Sequence, residues 1–293
     1  MDTIIIKACL NGNRGREDNP NVPWIPEEVA QEAIRCYDSG ASVVHFHART
    51  PDGSISYDPE WYTQADTLIR AQCDLVLNHT TARQSGVPVE AVTRYLLETP
   101  LAVEMVSLNL GYGVRWALDQ ETGKRKTSIS PNSYEDIIAT LEACYSRGIF
   151  PEPAVHDTGM LNNAVTLMRE GHLKSSRYFL VEPSAHWGDG RQSMVGIPRN
   201  YFMLTDNIRE LYPEATWLAH SSGSQTFVLC SIAIATGAHI RVGFEDSPFL
   251  PHNPLPRSNA EYVEWAVTLA RLQGREPASP SQAREILGLF PEP

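Results

Sequence analysis

Eight short apolar runs, each followed by a segment of helical periodicity, constrain this chain more than any other feature of it. The runs read as strands at Thr3–Leu10, at the stretch ending in His45-Phe46-His47, and at Asp74–Asn78, Leu101–Leu108, Glu152–Asp157, Tyr178–Val181, Ala215–Ala219 and Ile240–Phe244. Between them the spacing of apolar residues predicts helices, opened by Pro26-Glu27-Glu28 and by Pro59 and later near Val87, Ser133, Leu161, Asn200 and Gln225. Strict alternation of strand and helix requires crossover connections and hence a parallel sheet. Eight such units of about 35 residues each imply a closed α/β barrel, the (β/α)8 or TIM barrel. An open doubly wound sheet is the other solution, but it wants a glycine-rich turn after the first strand, and Leu10-Asn11-Gly12-Asn13 is not one. The expectation is one barrel domain over residues 1–293, with a C-terminal helical extension from about Ser258 formed by Asn259–Leu272 and Gln282–Leu289.

Charge narrows the class of partner. A net charge of −11 disfavours nucleic acid and anionic membrane surfaces, which select basic proteins. It leaves an anionic small molecule open, because a few arginines in one cleft outweigh a remote acidic surface. The five cysteines (Cys9, Cys36, Cys73, Cys144, Cys230) form no CxxC pair, so neither a disulfide framework nor a cysteine zinc site is expected. The apolar run at the N-terminus is too short for a signal peptide and no run approaches a membrane span, so a reducing cytoplasm is expected.

The chemistry centres on His45 and His47. On a strand, residues i and i+2 face the same way, so both imidazoles present to one side, and neutral imidazole is a common ligand for a divalent metal. An HxH pair alone is as readily two structural histidines. Arg241-Val242-Gly243-Phe244-Glu245-Asp246 supplies what is missing: Arg241, Gly243 and Glu245 share one strand face, and Glu245 is the candidate third ligand. Two histidines and a carboxylate leave coordination positions open, as catalytic rather than structural zinc sites do. Arg241 and Asp246 read as a charge pair at the rim, either anchoring a substrate carboxylate and relaying a proton or simply closing the barrel.

With these residues in place the sequence resembles the β-keto acid cleavage enzymes. The resemblance is carried by Ala8-Cys9-Leu10-Asn11-Gly12 with Arg14, Pro26-Glu27-Glu28, His45-x-His47-Ala48-Arg49-x-x-Asp52-Gly53, Asn78-x-Thr80-Thr81, Pro151-Glu152 with Asp157-Thr158-Gly159, and Arg241-Val242-Gly243-Phe244-Glu245-Asp246. It implies a zinc-dependent barrel, commonly a homotetramer, that condenses a β-keto acid with acetyl-CoA to give acetoacetate and a CoA ester. Carried across residue by residue, it implies His45, His47 and Glu245 as zinc ligands and Arg241, Asp246 and Thr80 as catalytic residues. Asn11, Asn13, Arg14, Thr81, Ser107 and Glu152 are the implied substrate contacts.

The chain departs from the family pattern at Ala82, at Ser247-Pro248 and through Gly190–Pro198, positions that bear on the CoA pocket. Where the aminohexanoate-cleaving members carry an acid for an ammonium group, Asn13 stands beside Arg14, so an amine-bearing substrate is disfavoured. The competing class is a zinc barrel hydrolase of the amidohydrolase type, suggested by His156 and His186. It places HxH on the first strand and a bridging lysine on the fourth, whereas here HxH follows the first helix and Leu101–Leu108 has no lysine. His156 and His186 are therefore read as pocket or structural residues. A barrel that binds its ligand without turnover is the non-enzymatic alternative.

Overall fold

The computed structural model describes residues 2–100, 103–119, 121–175, 177–184, 187, 189–251, 253 and 255–289. Eight parallel strands close into a barrel in chain order: β1 (Ile6–Cys9), β2 (Val43–Phe46), β3 (Val76–Thr80), β4 (Met105–Asn109), β5 (Phe150–Val155), β6 (Tyr178–Val181), β7 (Thr216–Ala219) and β8 (His239–Val242). Leu101 and Ala102, part of the fourth expected strand, lie outside the described residues. Each strand is followed by a helix: α1 (Pro26–Asp38), α2 (Pro59–Arg70), α3 (Val89–Glu98), α4 (Tyr134–Ser146), α5 (Thr158–Arg169), α6 (Pro198–Leu211), α7 (Ser224–Ala235) and α8 (Asn259–Leu272). A ninth helix, α9 (Pro280–Leu287), comes after them.

The helix starts follow from local chemistry. Pro26, Pro59 and Pro198 occupy first-turn positions where no backbone donor is needed. Ser133 and Asp157 accept from Asp136 N (3.2 Å) and Met160 N (3.0 Å), each satisfying a donor the helix leaves open. Apolar faces of the helices pack on the outward faces of the strands in one continuous core. α8, expected to begin an extension, packs against β1, β8 and α1 and completes the ring of eight helices. The added element is α9, whose Ala283 and Leu287 pack with Ile5, Val43, Val76, Met105 and Leu218 at the N-terminal end of the barrel interior. The segment between α8 and α9 is not a free linker, since Glu276–Pro277 pairs with Thr3–Ile4.

One expectation is corrected. The strand predicted over Ile240–Phe244 ends at Val242, because Gly243 takes φ +148° and the chain turns there. A Cβ at Gly243 would stand 2.2 Å from the Cys9 carbonyl oxygen, so β8 passes β1 at a distance only glycine allows. The polar, exposed stretch Thr122–Ser130 contains the second strand of a hairpin, Gly113–Leu118 against Arg125–Ser130, set in the loop between β4 and α4. All five cysteines are free thiols, as expected. No helix among the described residues is long and apolar enough to cross a membrane.

Candidate active site

Strand order places the ends of β8, β1 and β2 side by side at the C-terminal mouth of the barrel, where enzymes of this architecture hold their catalytic groups. In register, Arg241 stands opposite Lys7, Cys9 opposite His45, and His45 opposite Asn78. A cavity of about 690 Å3 opens there, lined by His45, His47, Thr80, Ser107, Arg241, Glu245 and Asp246 among others.

His45 Nε2 lies 3.4 Å from Glu245 Oε2 and His47 Nε2 3.7 Å from Glu245 Oε1. One donor atom from each of the three residues lies within 4.8 Å of the others, the spacing of a shared ion. The donor set suits zinc. Glu245 Oε2 is buried without a hydrogen-bond partner, a costly state for a carboxylate oxygen that a cation would relieve. Burial lowers the pKa of both imidazoles, that of His47 to about 3, so both are neutral near pH 7 and present a lone pair. The tautomer of His45 is fixed from behind, because its Nδ1 donates to Asn78 Oδ1 at 2.6 Å and leaves Nε2 free for the triad.

That Asn78 amide is itself oriented. Its Nδ2 donates to Glu152 Oε2 (3.1 Å), and Glu152 also accepts from Ser107 Oγ (2.6 Å), Tyr178 Oη (2.9 Å) and Lys7 Nζ (2.6 Å). Lys7 and Glu152 are fully buried in the barrel interior beneath the triad. Burial pushes the Glu152 carboxyl up, but the Lys7 ammonium and the surrounding donors outweigh it and hold the pKa at about 2. Glu152, expected at the substrate, stands two links behind the candidate metal triad, its oxygens taken up by Lys7, Asn78, Ser107 and Tyr178.

The loop after β1 serves the triad in the same way. Asn11, also expected at the substrate, is buried, and its amide clamps the backbone of His47: Oδ1 accepts from His47 N (2.9 Å) while Nδ2 donates to His47 O and Pro23 O, both at 3.0 Å. Gly12, at φ +51°, packs on Glu245 so closely that a Cβ would come 2.2 Å from its Cγ. Arg49, from the His-x-His-Ala-Arg stretch, ties that turn down by donating to Gly12 O and Gly53 O.

Because the chain turns after Val242, the consecutive residues Glu245 and Asp246 both reach Arg241, which strand alternation would forbid. Arg241 donates to Asp246 through Nε (3.1 Å to each oxygen) and Nη2 (2.8 Å to Oδ1), and Nη2 stands 2.7 Å from Glu245 Oε1. Burial opposes the Asp246 charge, yet Arg241 and His220 hold its pKa far below the usual carboxylate range. His220, one residue past β7, bridges two acids, with Nδ1 3.2 Å from Asp246 Oδ1 and Nε2 3.3 Å from Glu182 Oε2. Burial and Arg241 push its pKa down, but the two carboxylates prevail and raise it to about 9, so it is an imidazolium at neutral pH. Sequence reasoning missed Lys7, Glu182 and His220. The signal for the last two was their position, each one residue beyond a barrel strand on the catalytic side.

The remaining expected residues divide. Thr80 lines the cavity and its hydroxyl accepts from Ala82 N (3.0 Å), while Thr81 turns away to donate to Ser107 O (2.6 Å). Asn13 is exposed on the cavity wall. Beside it, Arg14 donates from Nε to Glu245 O (3.1 Å) and lies 3.7 Å from Asp18. His156 rests on Asn109 Oδ1 (3.1 Å) and 3.9 Å from Glu182, at the wall, and is not part of the His45–His47–Glu245 group found among the described residues. His186 lies outside the described residues.

Comparison with known proteins gives the same direction. A 3-keto-5-aminohexanoate cleavage enzyme of Acetoanaerobium sticklandii is 32% identical over 291 residues, covering 99% of both chains. A 3-oxoadipate:acetyl-CoA acetyltransferase of Cupriavidus necator is 26% identical, over 97% of this chain and 94% of that one. The fold recurs in the ternary complex of ObcA with a C4-CoA adduct and oxalate, at TM-score 0.75 and 19% identity, over 92% of this chain and 68% of that one. The family model of the beta-keto acid cleavage enzyme matches residues 3–289, and with a relative at 32% identity end to end the chain belongs to the β-keto acid cleavage enzyme family.

Proposed function

We propose that this chain is a zinc-dependent enzyme that condenses a β-keto acid with acetyl-CoA and releases acetoacetate and the CoA ester of the remaining acyl fragment. The observation that carries the reading is the convergence of His45, His47 and Glu245 with the Arg241–Asp246 pair on one cavity. Zinc, when bound, supplies Lewis acidity that polarises the keto group and favours the enolate. Arg241 anchors the substrate carboxylate, and with Asp246 forms the pair that takes the proton from C2. The C2 carbanion then attacks the thioester carbon of acetyl-CoA and expels CoA thiolate. That thiolate adds to the original keto carbon, the C2–C3 bond breaks, and acetoacetate departs with the electron pair. Thr80 presents its hydroxyl near the reacting carbon, and Asn78, Glu152 and Asn11 keep the imidazoles in place throughout. The same reading makes the protein a homotetramer of the cytoplasm.

Incubating β-keto acids with acetyl-CoA and scoring acetoacetate and new CoA esters tests the activity. Consumption of no keto acid in the presence of zinc would reject it. Metal content is a separate expectation. The purified protein should carry about one zinc per chain, and His47→Ala should lose it, read by elemental analysis after dialysis. Full occupancy in that variant would break the proposed ligand set.

The wall of the cavity sets selectivity. A terminal ammonium would face Asn13 and Arg14, the nearby acid Asp18 being already paired with Arg14, and like charges in a partly desolvated pocket repel. Between keto acids matched in length, one with and one without a terminal amine, the amine-free acid should have the higher kcat/KM. Asn13→Glu should move the ratio toward the amine by about tenfold, or about 1.4 kcal/mol. An amine preference in the unmodified enzyme would contradict this assignment.

A further inference from the structure

Two arginines that take no part in the chemistry above stand opposite each other on the cavity wall. Arg115 lies on the first strand of the hairpin after β4, and Arg191 on the loop after β6. The two segments meet in an antiparallel bridge with Arg115 facing Arg191 across it. Trp116 N donates to Gly190 O (2.7 Å) and Gln192 N to Val114 O (2.8 Å), which fixes the register. Gly190, at φ +80°, permits the approach, since a Cβ there would stand 2.2 Å from the Trp116 carbonyl oxygen. Residues directly opposite in such a bridge share a face with their Cβ atoms about 5 Å apart, and like charges so placed destabilise the pairing. A slip of one residue would remove the conflict, yet the register keeps it.

Among the described residues nothing offsets it fully. The Arg191 guanidinium donates to Ser222 Oγ (3.0 Å), a neutral partner. The Arg115 guanidinium makes no hydrogen bond or ion pair among the described residues. Of the acids in range, Asp189 accepts from the backbone N of Arg191 (2.9 Å) and Glu182 is held by the His220 imidazolium. Burial first, then the charges of Arg191 and Arg14, hold the pKa of Arg115 below its usual value, so three cations share this wall. Arg14 is fixed on the carbonyl of Glu245, which joins the cationic wall directly to the candidate metal triad. Both Arg115 and Arg191 line the cavity that the triad opens into.

We propose that Arg115 and Arg191 form a carboxylate-binding subsite for the end of the keto acid remote from the bond that breaks, so that the preferred substrate is a β-keto acid carrying a second carboxylate. The inference rests on the β-keto acid reading given above. A guanidinium pair suits a planar carboxylate, each fork offering two parallel donors. The phosphates of CoA offer the other anion of this chemistry, and the continuity with Arg14 and Glu245 favours the keto acid.

The test compares a β-keto diacid with a neutral β-keto acid of matched length, in the unmodified enzyme and in Arg115→Gln, using acetyl-CoA and then the acetyl thioester of N-acetylcysteamine, which has no phosphate. The unmodified enzyme should prefer the diacid. Arg115→Gln should cut the diacid-to-neutral ratio of kcat/KM by about tenfold to a hundredfold, mainly through KM and with either thioester. An unchanged ratio overturns the subsite. So does a loss common to both acids that appears only with acetyl-CoA, which would give the arginines to a CoA phosphate. If neither acid is consumed, it is the β-keto acid reading that fails, and glutarate binding by calorimetry then decides the subsite alone: binding lost in Arg115→Gln supports it, and no binding overturns it.

Discussion

Arg241→Lys should lower kcat/KM by about a thousandfold while leaving the metal in place and the barrel folded. Arg241 uses Nε and Nη2 to clasp Asp246 and Nη2 to reach Glu245, and Nη1 carries no hydrogen bond among the described residues. One planar group thus holds two carboxylates and keeps a third donor for the substrate. A lysine ammonium retains the charge but not the fork, so it can meet one acid well or the substrate, and not all three in fixed directions. The loss falls on orientation and on the charge that develops during enolisation and retro-Claisen cleavage, so it should appear in kcat as well as in KM. His45, His47 and Glu245 keep their own supports, namely Asn78, Asn11 and Gly12, which is why metal content should persist. Steady-state kinetics with metal analysis on the same sample decides the matter. Near-normal turnover would reduce Arg241 to an ion-pair partner that closes the barrel, and loss of metal would place it in the support of the triad.

The barrel was legible because each unit announces itself locally. Tyr178–Val181 and Asn259–Leu272 fall where apolar runs and capping residues put them. The hairpin was not legible: Gly113–Leu118 (GVRWAL) and the polar Arg125–Ser130 are both largely exposed, so neither shows the alternation that a half-buried strand displays. The end of β8 was misplaced for a different reason. Val242-Gly243-Phe244 reads as a strand by composition, and only the close passage of Gly243 over Cys9 shows that the chain must turn there.

In the candidate site the triad could be read because His45 and His47 stand at i and i+2 at the end of β2, and Glu245 follows β8, the strand on the other side of β1. The supporting residues were harder. Asn11 and Glu152 sit near the reacting centre in the fold, but their polar atoms are spent on His47 and on the Lys7–Asn78 network. Sequence shows that such a residue is close, but not which way its donors face. Glu182 and His220 are isolated in sequence, and their link to Arg241 through Asp246 exists only once the barrel closes. The Arg115–Arg191 pairing depends on a register between segments far apart in the chain, which no local pattern encodes.

Glu152→Leu should destabilise the fold by about 3–5 kcal/mol, and the double variant Lys7→Met with Glu152→Leu should recover most of that loss. Both charges of the pair are fully buried, so removing the acid leaves an ammonium in the barrel interior with only neutral partners. Replacing both with apolar side chains of similar volume removes the uncompensated charge, and such exchanges are often neutral. Denaturant midpoints at pH 7 measure the effect, and a single variant within about 1 kcal/mol of the parent would contradict it. Acid gives a second readout with a definite sign. The Glu152 pKa is depressed to about 2, from an ordinary value near 4.5. Its contribution is therefore present above about pH 4.5 and lost as pH falls through about 2. The parent should lose stability across that window, and the double variant should lose less. The same hydrogen-bond network reaches the candidate metal triad: with Glu152 gone, Asn78 Nδ2 loses its acceptor and the amide that fixes the His45 tautomer is held less firmly. The double variant, though it recovers most of the stability, should thus bind zinc about tenfold more weakly, the low end of the range for losing such a partner. Stability recovered together with unchanged zinc affinity would confine Glu152 to the fold and detach it from the site.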